Sequence, residues 1–176
     1  MGACTNGGGG AAGGGESPPS TSSTTTTATA TTSPGTSTTP LGIPAAARKH
    51  TPAGAEAFVR YFVEQINAAY LAADPAPIRV ISERGCLSCR SLERDVSSLA
   101  AKGQRYGSAA LTFTSAIAIG GAPKGQQHVR LFMTQNRVDI VDGRGRVVRT
   151  DRRKPLKSTV GLIWQGDQWL VYGMAD

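Results

Sequence analysis

Cys86 and Cys89, in the run RGCLSCRS, stand three residues apart, a spacing that serves three different chemistries. At a helix start such a pair is a redox dithiol, because the helix N-terminus and nearby cations favour the thiolate, and Arg84 and Arg90 flank this one. A thioredoxin-like use needs a buried strand immediately before the motif, whereas DPAPIRVISERG reads as a loop and a short helix. A zinc site needs two more ligands at metal spacing, and His50 and His128 are single and distant. The third use is a disulfide. The chain has three cysteines, and if Cys4 is committed elsewhere an even pair remains, which favours a bridge. Closing so short a loop stabilises by only about 2 kcal/mol, so its role would be to fix a local bend.

Other constellations are weaker. Isomerase-type chemistry needs an acid in a cavity as proton shuttle and a neutral donor, often Tyr, for the oxyanion. Asp139 lies between Val138 and Ile140 and so points away from the side they bury, Tyr61 sits beside Arg60, and Tyr70 has no evident acidic neighbour. Tyr70, Trp164, Trp169 and Tyr172 are the aromatic residues that could stack on a ligand in a cavity, or simply fill it. Two histidines do not make a Ser/His/Asp site, no glycine-rich phosphate loop follows a strand, and no Ser-x-x-Lys set is present. No catalytic, cofactor-binding or metal-ligating residue is assigned. One charged run stands out: RTDRRKPLKS carries Arg149, Arg152, Arg153, Lys154 and Lys157 against a single acid, Asp151. Such a patch suits anionic headgroups or acidic polymers, and without interleaved aromatics it does not read as a nucleic-acid surface.

These residues must be placed by a domain running from Thr51 to Asp176. Thr51-Pro52 opens a helix, and Ala55, Phe58, Val59, Phe62, Ile66, Ala69 and Tyr70 recur at helical spacing on one face, opposite Glu56, Arg60, Glu64 and Asn67. Asp74 to Pro77 ends it. A second helix carries Cys89, Leu92, Val96, Leu99 and Ala100 on one side and closes at Gly103. After Tyr106 the period becomes two. Leu111, Phe113, Ile117 and Ile119 alternate with polar residues, and Gly120 to Gly125 turns the chain. The next run changes parity between Met133 and Val138, which predicts a bulge near Gln135 to Arg137. Asp142-Gly143 turns into Val147-Val148, and WQGDQW makes a last hairpin that sets Trp164 against Trp169. Helices first and then four or five antiparallel strands predict an α+β layer of sheet against helices.

The region before the domain has a different composition. Ser17 to Pro40 contains eleven Thr and six Ser and no charged, aromatic or large aliphatic residue, so it has no apolar surface to offset the cost of ordering and is expected to be disordered. All nineteen Lys and Arg, and eleven of the twelve acids, lie from Arg48 onward, which puts about +8 on the domain. Gly2-Ala3-Cys4 resembles the end of a bacterial lipoprotein signal box. That resemblance implies diacylglycerol on Cys4, residues 1–4 as its remnant, and residues 5–50 as a tether whose coil spans roughly 35 to 40 Å.

The helix-then-sheet order resembles the cone-shaped nuclear transport factor 2-like and cystatin-like fold. More closely, TPAGAEAFVRYFVEQINAAYLAADPAPIRVISERGCLSCRSLERDV resembles an uncharacterised family of actinobacterial lipoproteins with a Ser/Thr-rich stalk. The resemblance implies the fold and implies no activity. The expectation is an extracytoplasmic, membrane-anchored binding or scaffolding domain that meets an anionic envelope component or an envelope protein, without a cofactor. A small-molecule carrier or isomerase-like enzyme is the alternative, and a thiol redox protein the weaker one.

Overall fold

A computed structural model describes residues 42–176. Cys4 and most of the tether, residues 5–41, lie outside the described residues. The chain folds earlier than Thr51. A 3-10 turn, Ala45–Arg48, precedes helix α1, Pro52–Ala72, and Ile43 and Ala47 are buried in the core. The tether expected to run to residue 50 thus ends no later than Ile43. The turn folds back on α1 so closely that a Cβ at Gly54 would overlap the Lys49 carbonyl oxygen.

The start of α1 is set by Thr51, whose Oγ1 accepts from the Gly54 N–H at 3.1 Å, with Pro52 fixing the first turn. Its expected apolar face is buried without exception. Its expected polar face is not simply solvated. Asn67 donates to the Leu111 carbonyl at 2.8 Å and accepts from the Leu111 N–H at 2.9 Å, and Glu56 accepts from the Ala118 N–H at 2.8 Å. A short helix α2, Ala76–Arg79, leads to α3, Leu87–Ala101, in which Cys89 and Val96 are buried. Cys86 caps α3 by accepting from the Cys89 N–H. On the expected inner side, Ala100 is exposed, because the helix leaves the core in its last turn.

Seven strands follow: β1, Gln104–Tyr106; β2, Leu111–Ile119; β3, Gln126–Gln135; β4, Val138–Asp142; β5, Val147–Asp151; β6, Lys154–Gln165; and β7, Gln168–Ala175. They form two antiparallel sheets, ordered β2-β3-β6-β7 and β1-β4-β5. The expected single sheet with a bulge near Gln135 is therefore corrected. The parity change between Met133 and Val138 marks the point at which the chain leaves one sheet for the other. Asn136 holds that crossing, its N–H donating to the Ala110 carbonyl at 2.7 Å and its side chain to Ala109 at 3.0 Å. A bulge lies in β2, between Phe113 and Ser115, and it turns Ile117 outward to 51% exposure where an inward position was expected; further register shifts fall at Ile140/Val141 and Gly161/Leu162. The Trp164–Trp169 hairpin pair forms as expected.

Gly161 has a specific reason to be glycine: a Cβ there would stand 2.6 Å from Cζ of Tyr172, whose ring covers it. Ile43→Ala tests whether the segment before α1 belongs to the fold. It should lower stability by about 2 to 5 kcal/mol in chemical denaturation, as for any fully buried aliphatic, whereas a tether residue would show almost none.

Candidate functional site

Helical and strand periodicities converge on one cavity of about 460 Å3. Spacing of four brings Phe62, Ile66 and Tyr70 of α1 to its wall, and spacing of two brings Leu131, Met133 and Gln135 of β3 and Leu156 and Ser158 of β6. Leu92 of α3 and Met174 of β7 close the sides. The body of the cavity is apolar, so it can hold an apolar ligand without stranding polar groups.

One end is polar. The rings of Tyr70 and Tyr106 lie 4.7 Å apart, inclined at 38°. The Tyr106 hydroxyl donates to Asp151 Oδ2 at 2.7 Å, and Arg149 Nε reaches Asp151 Oδ1 at 3.1 Å. Burial, aided by the Asp95 and Asp151 charges, pushes the Tyr70 hydroxyl from 10.0 up to about 12. Burial and the hydrogen bond to Asp151 push Tyr106 higher still. Both tyrosines are neutral donors throughout the physiological range. Elsewhere on the wall, Ser158 donates to Asp176 at 2.9 Å, and the Ser88 hydroxyl accepts from the Met174 N–H at 2.9 Å.

Of the four aromatic residues expected at a cavity, only Tyr70 lines it. Trp164 and Trp169 are corrected to a structural role. His50 stacks on Trp164 with centroids 4.6 Å apart, and Trp169 Nε1 donates to the Lys49 carbonyl at 2.9 Å, so the pair pins the chain entering α1. Tyr172 is bonded to His128 at 2.7 Å and lies over Gly161. Asp139 is exposed and accepts from Thr150, facing away from the buried side as expected.

Cys86 and Cys89 are joined in a disulfide, both sulfurs buried, with Cα atoms 5.3 Å apart. The basic run, expected as one loop, is divided. Arg149 lies on β5, Arg152 and Arg153 form the connection, and Lys154 and Lys157 lie on β6, with Lys157 6.0 Å from the Phe132 ring. Its single acid, Asp151, turns inward to the cavity. Sequence reasoning missed Asp151, Tyr106 and Asp176. The available signal was that lone acid kept among five cations. Among the described residues no group of three or more His, Cys, Asp or Glu is placed to hold a metal ion, and no helix is long and apolar enough to cross a membrane.

Residues 25–175 match a family of unknown function, DUF6318. The chain belongs to that family. No curated protein matches it. Among solved structures, this DUF6318 protein is similar to the intermembrane space region of the chloroplast protein ARC6, at 11% identity and TM-score 0.54, covering 72% of this chain and 96% of that one. It is also similar to Aln2 from a Streptomyces species, at 13% identity and TM-score 0.45, covering 66% and 85%. A third similar structure is a cystatin-like protein of unknown function from Nostoc punctiforme, at 8% identity and TM-score 0.40, covering 66% and 84%. The fold is α+β, with helices on antiparallel sheet, as in the ARC6 region.

The raised Tyr70 value sets a pH dependence. Because the folded-state value lies above the unfolded one, Tyr70 contributes its full stabilisation below about pH 10, and that contribution is lost as pH rises to about 12. The denaturation midpoint should fall across that window, and Tyr70→Phe should flatten the fall. An equal slope in wild type and variant would refute this placement of Tyr70.

Proposed function

We propose that this DUF6318 protein is a non-catalytic binding domain that takes up an apolar small molecule bearing one polar group. The observation that carries this reading is the cavity of about 460 Å3, which has an apolar body and a single tyrosine-rich polar corner. Trp164 and Trp169, which would have closed such a space had they pointed into it, are engaged with His50 and Lys49. Binding is the reading favoured because the polar corner is held in place, with Asp151 accepting from Tyr106 and paired with Arg149.

The proposal extends to where the domain works. Gly2-Ala3-Cys4 and the Ser/Thr-rich run behind it support a lipoprotein of the actinobacterial kind, extracytoplasmic and held to the membrane through Cys4. The exposed cations Arg152, Arg153, Lys154 and Lys157 support contact with an anionic envelope component or an envelope protein.

Two measurements test the two parts. Leu156→Trp should fill the cavity and reduce uptake of an apolar fluorescent probe at least about tenfold while the protein stays folded. Unchanged uptake with the cavity filled would overturn the binding reading. Cys4→Ser, expressed behind a lipoprotein leader, should move the protein from the membrane to the soluble fraction. A variant that still pellets with membranes would remove the anchor from the proposal.

A further inference from the structure

The charge of the cavity is opposite to that of the domain around it. From Arg48 onward the chain carries about +8. Yet among the described residues the only charged side chains on the cavity wall are two carboxylates, Asp151 and Asp176, and no Lys or Arg lines it. Arg149 reaches Asp151 from outside, with 64% of its side chain exposed, so its attraction is screened by water. A carboxylate has about four acceptor positions, and Tyr106 and Arg149 use two of those on Asp151.

A second observation points to the same ligand chemistry. Tyr70 is 9% exposed and lines the cavity, and among the described residues its hydroxyl has no hydrogen-bond partner. Beside it, the Tyr106 ring at 4.7 Å and 38° forms an aromatic corner next to Asp151. A carboxylate and two aromatic rings at one end of an apolar chamber favour a cation, the rings through their quadrupoles, and the Tyr70 hydroxyl oxygen can accept from it. An anion placed there would meet the Asp151 carboxylate, with no Lys or Arg on the wall to offset it.

We infer that the cavity selects an apolar amine, its ammonium group set against Asp151 and the Tyr70–Tyr106 corner and its apolar part along Phe62, Leu131 and Met133. This rests on the binding reading above and names its ligand class. It makes a prediction that the net charge of the domain would reverse, since a basic domain by itself attracts anions.

The test is calorimetric titration of the folded protein near pH 7 with three probes of one chain length: octylamine, octan-1-ol and octanoate. Octylamine should bind about tenfold more tightly than octanol, and octanoate more weakly than either. Asp151→Asn should bring octylamine to the level of octanol. If no probe binds, the binding reading itself falls. If octanol binds but octanoate equals or exceeds octylamine, the cavity is real and the amine inference is overturned, as it is if Asp151→Asn keeps the wild-type preference. Should that variant not fold, the wild-type ranking decides.

Discussion

The seam between α1 and β2 is the contact on which the rest of the structure depends. β2 is an edge strand, and its outward backbone groups would otherwise face water or another chain. Side chains of α1 close that edge: Asn67 pairs with both backbone groups of Leu111, Glu56 takes the Ala118 N–H, and Arg60 lies 4.3 Å above the Phe113 ring. The bulge at Thr114 lies between the two anchored ends, and it lets one strand follow the helix while its face changes. With the helix held along the edge, Phe62, Ile66 and Tyr70 are carried across the inner face of the sheet. The cavity is the space they leave unfilled.

The second sheet gives that space its chemistry. β3 pairs with β6 along its whole length, yet the two are separated in sequence by β4 and β5, which pair with each other while β4 also pairs with β1. This excursion sets Tyr106 on β1 and Asp151 on β5 on opposite sides of β4, and it brings the two within hydrogen-bonding distance at the rim of the first sheet. A plain meander of the same strands would have sent Asp151 into solvent with the arginines around it.

The two ends of the described chain are tied to this frame by polar contacts that the apolar pattern does not announce. The Lys49 carbonyl and the His50 ring meet the tryptophans of the last hairpin. On the other side, the disulfide closes the first turn of α3, and the loop before it exchanges backbone bonds with Val171 of β7. Ser88, inside the disulfide loop, reaches the Met174 backbone on the cavity wall. The local bend expected of a short bridge is thus the bend that sets one wall of the cavity.

Helix α1 with its cap, helix α3, the last hairpin and the α+β class were legible in the sequence. Each follows from interactions between residues a few positions apart: a hydroxyl three residues before the N–H it caps, apolar residues at three and four or at two, a turn between paired tryptophans. A periodicity states which face is buried, but it does not state what lies opposite. That is why the break in parity after Met133 read as a bulge when it is a change of sheet, and why Trp164 and Trp169 read as candidate cavity aromatics. Tyr70, Tyr106 and Asp151 lie up to 81 residues apart, and no local signal joins them. The sequence by itself determined the elements, the charge of the domain and the residues available for burial. Only the tertiary structure decided that the one acid in a basic run should face inward, because that depends on the pairing of β5 with β4, a contact whose stability comes from the assembled sheet and not from the run itself.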